Sequence, residues 1–124
     1  DIFFPNEVEA TAIARVDDCQ QAAERLAELG PIAVVKMGPD GACLHDGKNF
    51  LREPAYNVQV ADTTACGDAF NAGFLYGWLN EAKLRDCLRF ANACGALMAT
   101  VHGNDLDAID VERVRQLIQQ ASEK

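Results

Sequence analysis

Residues 32–37 form a largely apolar run that lies between a proline and a glycine. A run of this length without regular alternation is typical of a strand covered on both faces, as in a parallel sheet. It follows a shorter apolar run at residues 2–4 and an amphipathic helix for which the pair Asp17-Asp18 offers an N-cap and Gly30 a stop. Because strand, helix and strand succeed one another, we expect an α/β fold with a mainly parallel sheet.

The other segments predict a hairpin, a weaker strand and further helices. A short helix is expected to begin at Asn6 or Glu7, directly after the first strand. Asp46-Gly47, a pair favoured in tight turns, lies between two short runs that we interpret as hairpin strands. Residues 58–61 predict a weaker strand. Three C-terminal helices are expected at residues 67–79, 83–100 and 111–119, the last behind an Asp110 N-cap.

Net charge limits the partners of this chain. Eleven basic and nineteen acidic side chains give a formal net charge of -8. A negative field repels nucleic acid and anionic membranes, so we expect neither as a partner. The same field repels ATP, and a nucleotide site must therefore rely on local hydrogen-bond donors and a divalent cation.

Cysteine content and hydropathy indicate a cytoplasmic protein. The five cysteines contain no C-x-x-C pair, which favours free thiols in a reducing compartment. No apolar run approaches the ~20 residues that span a bilayer, and no signal peptide is recognisable at the start. The chain begins without a methionine inside a predicted strand, which resembles a cut within a longer protein.

The segment from Asp62 to Phe70 carries the strongest chemical signal. It lies where an extended segment ends and an apolar helix begins. The first amides of a helix are unpaired and carry a positive partial charge, so small residues there let phosphate oxygens approach the backbone. Ala65, Cys66 and Gly67 are all small, and the carboxylate of Asp68 follows in the first turn. We therefore expect anion binding and a general base in one segment.

A simpler interpretation stays open for the same residues. Asp62 or Asp68 could cap the helix, and Gly67 could ease a turn. Two features favour a functional site instead. Three small residues between two aspartates exceed what capping needs, and Gly73 and Gly77 in the following helix allow another backbone to pack closely.

The run from Asp62 to Phe74 resembles the second signature of the PfkB (ribokinase-like) carbohydrate kinases, which commonly reads D-T-x-G-A-G-D-x-F-x-x-G. The resemblance implies that residues 1–124 are the C-terminal nucleotide-binding and catalytic-base part of a kinase domain. It implies a three-layer α/β/α fold whose N-terminal substrate-binding part is absent. It also implies that Asp68 is the catalytic base and that the amides of Ala65, Cys66 and Gly67 form an anion hole, the binding site for the transferred phosphoryl group.

Two residues depart from the common form of this signature. Ala65 replaces the usual first glycine, and Cys66 replaces the usual alanine. If the first position requires a positive φ, the Cβ of Ala65 costs ~1 kcal/mol or more. At the start of a helix, we expect the positive end of the dipole to lower the pKa of the Cys66 thiol.

Other short elements extend the resemblance along the chain. Asn6 and Glu9 match the N-x-x-E element of the family, which implies contact with magnesium through water. The alternative is an asparagine that only initiates a helix. Lys36, Gly38 and Gly41 resemble the strand-turn-strand that borders the nucleotide, and the alternative there is an ordinary hairpin turn.

Asn92 and Asp62 have weaker assignments. Asn92 falls where the family has a helix beside the adenine, although the small residues around it suit helix packing equally well. Asp62 and the stretch 101–104 occupy places where many relatives bind a monovalent cation, which implies K⁺. His102 in that stretch is given no chemistry.

The leading hypothesis is ATP-dependent phosphoryl transfer, with Mg²⁺, to a hydroxyl of a sugar or sugar-like alcohol. A nucleoside or vitamin kinase of the same family is an alternative. A catalytically silent nucleotide-binding or interaction module is another, against which the retained Asp68 argues. The isolated segment is expected to be inactive because the acceptor pocket is missing, and a homodimer is left open.

Overall fold

The computed structural model describes residues 2–63, 65–101 and 110–122. The chain divides into two compact units, residues 1–54 and residues 55–124. The first contains a four-stranded sheet with two helices, and the second is helical. Together they confirm the α/β class.

The sheet of the first unit has the strand order β1-β2-β3-β4. Its strands are β1 (Ile2–Phe3), β2 (Ile32–Lys36), β3 (Ala42–His45) and β4 (Phe50–Glu53). β1 pairs with β2 in parallel, whereas β3 is antiparallel to both of its neighbours. The described part of the sheet is therefore mixed, because the hairpin adds two antiparallel pairs to the predicted parallel one.

Two helices connect β1 to β2, and both begin where the sequence predicts. They are α1 (Glu7–Ala14) and α2 (Cys19–Ala27). Asn6 and Asp18 are their N-caps, and each side chain accepts a hydrogen bond from an amide in the first turn. A short 3₁₀ turn, Gly38–Asp40, follows β2.

The core of the first unit lies between these helices and one face of the sheet. It is built mainly from small residues, with Ala10, Ala22 and Ala33 fully buried. Successive residues of a strand point to opposite faces. Ala33, Val34 and Val35 all have 0% exposure, so β2 is buried on both faces as its sequence predicts.

The second unit contains α3 (Cys66–Leu79), α4 (Leu84–Ala99) and α5 (Val111–Ser122). The predicted weak strand at residues 58–61 is wrong, since this segment has no regular secondary structure. The amides of Ala61 and Asp62 instead donate to the Ala99 carbonyl at the end of α4, over 2.7 and 3.1 Å. The end of a helix, and not a neighbouring strand, therefore accepts the hydrogen bonds of this segment.

Helices α3 and α4 pack closely through glycines, as the sequence predicts. A Cβ built on Gly73 would lie 2.7 Å from Cys94 Sγ and 3.2 Å from the Ala91 Cα. A Cβ on Gly77 would lie 3.1 Å from Cys87 Sγ. Only glycine permits this approach of the two helices.

Candidate functional site

The turn before α3 has an unusual backbone. Ala65 is the N-cap residue and adopts a left-handed conformation, with φ 65° and ψ 5°. Gly67, the residue best suited to a positive φ, is not among the positive-φ positions. The conformational cost expected for a Cβ at residue 65 therefore applies.

Asp68 lies in the first turn of α3 and is exposed. No side chain caps this helix among the described residues, so Asp68 does not act as its N-cap. A carboxylate in the first turn lies beside the positive end of the helix dipole. Asp68 is thus an accessible carboxylate next to a helix start that its N-cap residue, Ala65, leaves without a side-chain cap.

One of the predicted anion-hole amides already has a backbone hydrogen-bond partner. The amide of Cys66 donates to the Thr63 carbonyl over 3.2 Å, closing a turn around residue 65. A phosphate oxygen that reaches this amide must share or replace that bond. Thr64, inside this turn, lies outside the described residues.

The expectation of a lowered pKa at Cys66 is wrong in direction. Burial, and then the negative charge of Asp62, raise the pKa of the Cys66 thiol. The thiol is half-buried, and Sγ lies 3.8 Å from the Asp62 carbonyl oxygen, to which it donates. Both effects favour the neutral thiol over the thiolate.

A cavity of about 580 Å³ lies between α3, α4 and α5 in the second unit. Among the residues that the structure describes, Asp68 is the only charged one that lines it. The aromatic rings of Tyr76 and Phe90 stack at another part of the wall, with centroids 5.1 Å apart and planes 22° apart. The rest of the wall is formed by small, aliphatic and sulfur-bearing side chains, including Ala72, Cys94, Met98 and Val114.

This aromatic pair and the cavity were not among the features predicted from the sequence. Residues 68, 72 and 76 recur every fourth position, which places them on one side of a helix. That spacing indicates that Tyr76 shares a surface with Asp68. The contribution of Phe90 depends on how α4 packs, for which the sequence holds no local signal.

The first unit holds the residues expected near magnesium and nucleotide. Asn6 and Glu9 form a reciprocal capping box. Asn6 Oδ1 accepts from the Glu9 amide over 2.8 Å, and Glu9 Oε1 accepts from the Asn6 amide over 3.0 Å. Helix initiation is therefore their structural role. Both side chains are exposed, and their remaining lone pairs suit the waters of a hydrated Mg²⁺, which prefers oxygen ligands.

The parallel pairing of β1 and β2 brings Asn6 beside Lys36. The two residues form an isolated parallel bridge, and the Lys36 amide donates to the Pro5 carbonyl over 3.0 Å. Gly38 and Gly41 follow with φ of 56° and 91°, so the turn requires glycine at both positions. Asn6, Lys36 and the turn that follows Lys36 therefore lie at the same end of the sheet, where β1 and β2 terminate.

The two remaining predicted residues belong to the second unit. Asn92 is 7% exposed inside α4, so only an edge of its side chain is accessible to a ligand. Asp62 is half-buried, and its backbone joins the end of α4 through Ala99. Residues 102–104 of the predicted cation region lie outside the described part of the chain.

In the described ranges, no three His, Cys, Asp or Glu side chains group as metal ligands. Among the helices that the structure describes, none is both long and apolar enough to cross a bilayer.

Comparisons with known proteins agree with one another. Residues 1–110 match the model of the pfkB family carbohydrate kinases. A sugar kinase of Archaeoglobus fulgidus is 38% identical over 103 residues, 82% of this chain and 41% of the relative. An ATP-dependent ribose-1-phosphate kinase of Halopiger xanaduensis is 36% identical over 83% of this chain and 34% of the relative.

A solved structure matches equally broadly. The Arabidopsis thaliana ribokinase complexed with ribose and ATP superposes with a TM-score of 0.83 and 30% identity, over 96% of this chain and 41% of that chain. The fold is therefore ribokinase-like. The chain spans between about one third and two fifths of the length of these relatives.

Proposed function

The chain belongs to the pfkB family of carbohydrate kinases, and on this premise we propose that it supplies the catalytic base and phosphate-binding segment for ATP-dependent phosphorylation of a sugar hydroxyl. The observation that carries the proposal is the start of α3, where an exposed Asp68 lies beside a turn whose N-cap residue, Ala65, forms no side-chain cap. A helix start of this kind favours a bound anion.

In the proposed reaction, the Asp68 carboxylate accepts the proton of the acceptor hydroxyl. The hydroxyl oxygen then forms a bond to the γ-phosphorus of ATP, and the bond from that phosphorus to the bridging oxygen breaks, releasing ADP. Backbone amides at residues 65–67 stabilise the negative charge on the transferred group. The left-handed Ala65 sets the direction in which these amides point.

Mg²⁺ would neutralise charge on the phosphate oxygens of ATP when bound. Asn6 and Glu9 would contact its water shell, since their side chains are exposed at the end of the sheet where β1 and β2 terminate. Lys36, Gly38 and Gly41 would border the nucleotide, and Asn92 would contact the base with its accessible edge. Asp62 would contribute to a K⁺ site.

Asp68→Asn tests the proposal in a complete kinase that contains this segment. Loss of a positioned base should lower turnover by about 10² or more, with ATP affinity within a few-fold of the original. Steady-state kinetics and isothermal titration with ATP measure the two quantities.

Asp86→Asn is the matched control. Asp86 occupies the same position in the first turn of α4 as Asp68 in α3, and it is also exposed. It should leave turnover unchanged. Equal turnover in the two variants would remove the proposed role of Asp68.

A second candidate is a nucleotide-binding module without kinase activity of its own. It is favoured by the cavity beside Asp68, whose described lining residues offer a sugar few hydrogen-bond partners. Purified chain should then bind MgATP but form no sugar phosphate. Formation of sugar phosphate by the rigorously purified chain would exclude this candidate.

A further inference from the structure

The dipeptide Asp-Gly occurs twice in this chain, at Asp40-Gly41 and at Asp46-Gly47. A glycine has no side chain to hinder attack of its amide nitrogen on the carboxyl group of the preceding aspartate. That attack closes a five-membered succinimide ring. The groups around each glycine amide therefore decide which of the two pairs can react.

The Gly47 amide faces a base. It donates a hydrogen bond to His45 Nδ1 over 3.0 Å, so this ring nitrogen carries no proton. An imidazole nitrogen at this distance can accept the amide proton when the Gly47 nitrogen attacks. A Cβ built on Gly47 would meet no atom within 4 Å, so the backbone at this position is uncrowded.

The Asp46 side chain is held over the same amide. Its Oδ1 accepts hydrogen bonds from the amides of Lys48 and Asn49, over 2.9 and 2.7 Å. A side chain that bonds to two amides beyond Gly47 folds across that glycine, which brings Cγ toward the Gly47 nitrogen. The same two donors stabilise the negative charge that develops on Oδ1 when Cγ becomes tetrahedral.

The Gly41 amide has a different partner. It donates to the Gly38 carbonyl over 3.1 Å, across the short 3₁₀ turn. A carbonyl oxygen is far too weak a base to take an amide proton. Gly41 is also buried, whereas Gly47 is exposed. The same dipeptide thus lies in two different chemical settings within one unit of the chain.

We propose that Asp46 is a site of spontaneous backbone modification, at which His45 promotes succinimide formation and hydrolysis then yields isoaspartate. The Gly47 nitrogen bonds to Cγ of the protonated Asp46 carboxyl group, and His45 accepts the amide proton. His45 passes this proton to the departing hydroxyl, so the Cγ–Oδ2 bond breaks and one water leaves. A second water then opens the ring, and opening at the main-chain carbonyl leaves isoaspartate.

Isoaspartate would lengthen the main chain of the β3–β4 hairpin by one methylene group. The altered turn directly follows His45, which pairs with Phe50 at the end of the ladder. The amides of Asn49 and Lys48 lower the pKa of Asp46, so the protonated carboxyl group is scarce at neutral pH and the modification accumulates slowly. The proposal goes beyond the proposed kinase function and does not depend on it.

One tryptic peptide, residues 37–48, contains both Asp-Gly pairs. The folded chain, and the same chain unfolded in urea, are incubated at neutral pH in H₂¹⁸O. Electron-transfer fragmentation of the peptide then measures isoaspartate and ¹⁸O at each aspartate. In urea the two aspartates should react at similar rates. In the folded chain, Asp46 should react at least about tenfold faster than Asp40.

His45→Gln tests the role of the base. Glutamine can still accept the hydrogen bond of the Gly47 amide through Oε1, but it cannot take up the proton. The rate at Asp46 should fall at least about tenfold, and the rate at Asp40 is the internal control that should not change. Circular dichroism checks that the variant is folded. The comparison of the two aspartates in the unsubstituted chain does not depend on this variant.

Selective modification of Asp46 that His45→Gln slows would support the proposal. Equal rates at the two aspartates of the folded chain, or a faster reaction at Asp40, would overturn it. So would an Asp46 that reacts more slowly in the folded chain than in urea, because the turn would then protect the pair. An unchanged rate at Asp46 in folded His45→Gln would equally overturn it, because His45 would then not act as the base.

Discussion

Helices α1 and α3 begin in opposite ways. At the start of α1, the Asn6 and Glu9 side chains satisfy each other's amides in a capping box. At the start of α3, Ala65 provides no side-chain cap and adopts a left-handed backbone. We call the capped start of α1 closed and the start of α3, at Ala65, open. A closed start stabilises its own helix. An open start leaves amides available to a ligand, so packing must hold the helix in place.

The largest expected effect concerns that packing. Gly73→Ala would place a methyl group 2.7 Å from Cys94 Sγ and 3.2 Å from the Ala91 backbone. Overpacking at such a contact should lower the free energy of unfolding of the second unit by about 2 kcal/mol. Urea unfolding followed by Trp78 fluorescence measures the change.

Gly95→Ala is the control for this prediction. Its added Cβ would meet the Cys66 carbonyl at 3.5 Å and the Phe70 Cβ at 3.8 Å, both ordinary contacts. Alanine also has a higher helix propensity than glycine, so stability should stay level or rise. Equal losses in both variants would mean that close packing does not hold α3.

Removing the cap at the closed start should cause a smaller loss of stability. Asn6→Ala removes the cap of α1 and should destabilise the first unit by about 1 kcal/mol. Faster hydrogen exchange of the Glu9 amide reports the loss directly. Asn6→Asp keeps an accepting oxygen and should restore protection, so equally fast exchange in Asp and Ala variants would contradict the capping role.

A substitution at the open start should raise stability instead of lowering it. Ala65→Gly removes the Cβ of a residue in the left-handed conformation, which relieves strain of ~1 kcal/mol. Part of this gain is lost because glycine has more backbone entropy in the unfolded chain. We expect a net stabilisation of about 0.5 kcal/mol in the same urea experiment. A destabilised Ala65→Gly variant would show that the turn does not carry this strain.

The smallest effect concerns the thiol at the open start. Because burial and Asp62 raise the pKa of Cys66, the thiol stays neutral at neutral pH and gains thiolate only as pH rises. Iodoacetamide labelling of Cys66 should therefore accelerate toward alkaline pH. Asp62→Asn should shift this profile to lower pH, and an unchanged profile would contradict the influence of Asp62.

Local signals in the sequence predicted much of the fold. The caps at Asn6 and Asp110 were predictable because a cap and its helix are a few residues apart, and the structure confirms both. For α2 the sequence offered the pair Asp17-Asp18, and the structure identifies Asp18 as the cap. The strand at residues 58–61 failed because a strand needs a partner, and the partner of Ala61 is the distant Ala99 carbonyl.

The candidate site was predictable in part for the same reason. The position of Asp68 in the first turn of α3 followed from the local motif. The pKa direction of Cys66 did not, because burial of a thiol is set by tertiary packing. The sequence could predict only that an alanine at residue 65 would be strained if the turn required a positive φ. It shows which residue is present but not which φ the turn requires.

The bridge between Asn6 and Lys36 has a consequence for insertions and deletions. These two residues are neighbours in space, but the whole of α1 and α2 separates them along the chain. Extra residues between the two helices, near Asp17, would lengthen a surface connection and leave the pairing of Asn6 with Lys36 intact. Deleting one residue within β2 would instead turn its later side chains, Lys36 included, to the opposite face. Homologues should therefore vary in length between the helices and keep the length of β2.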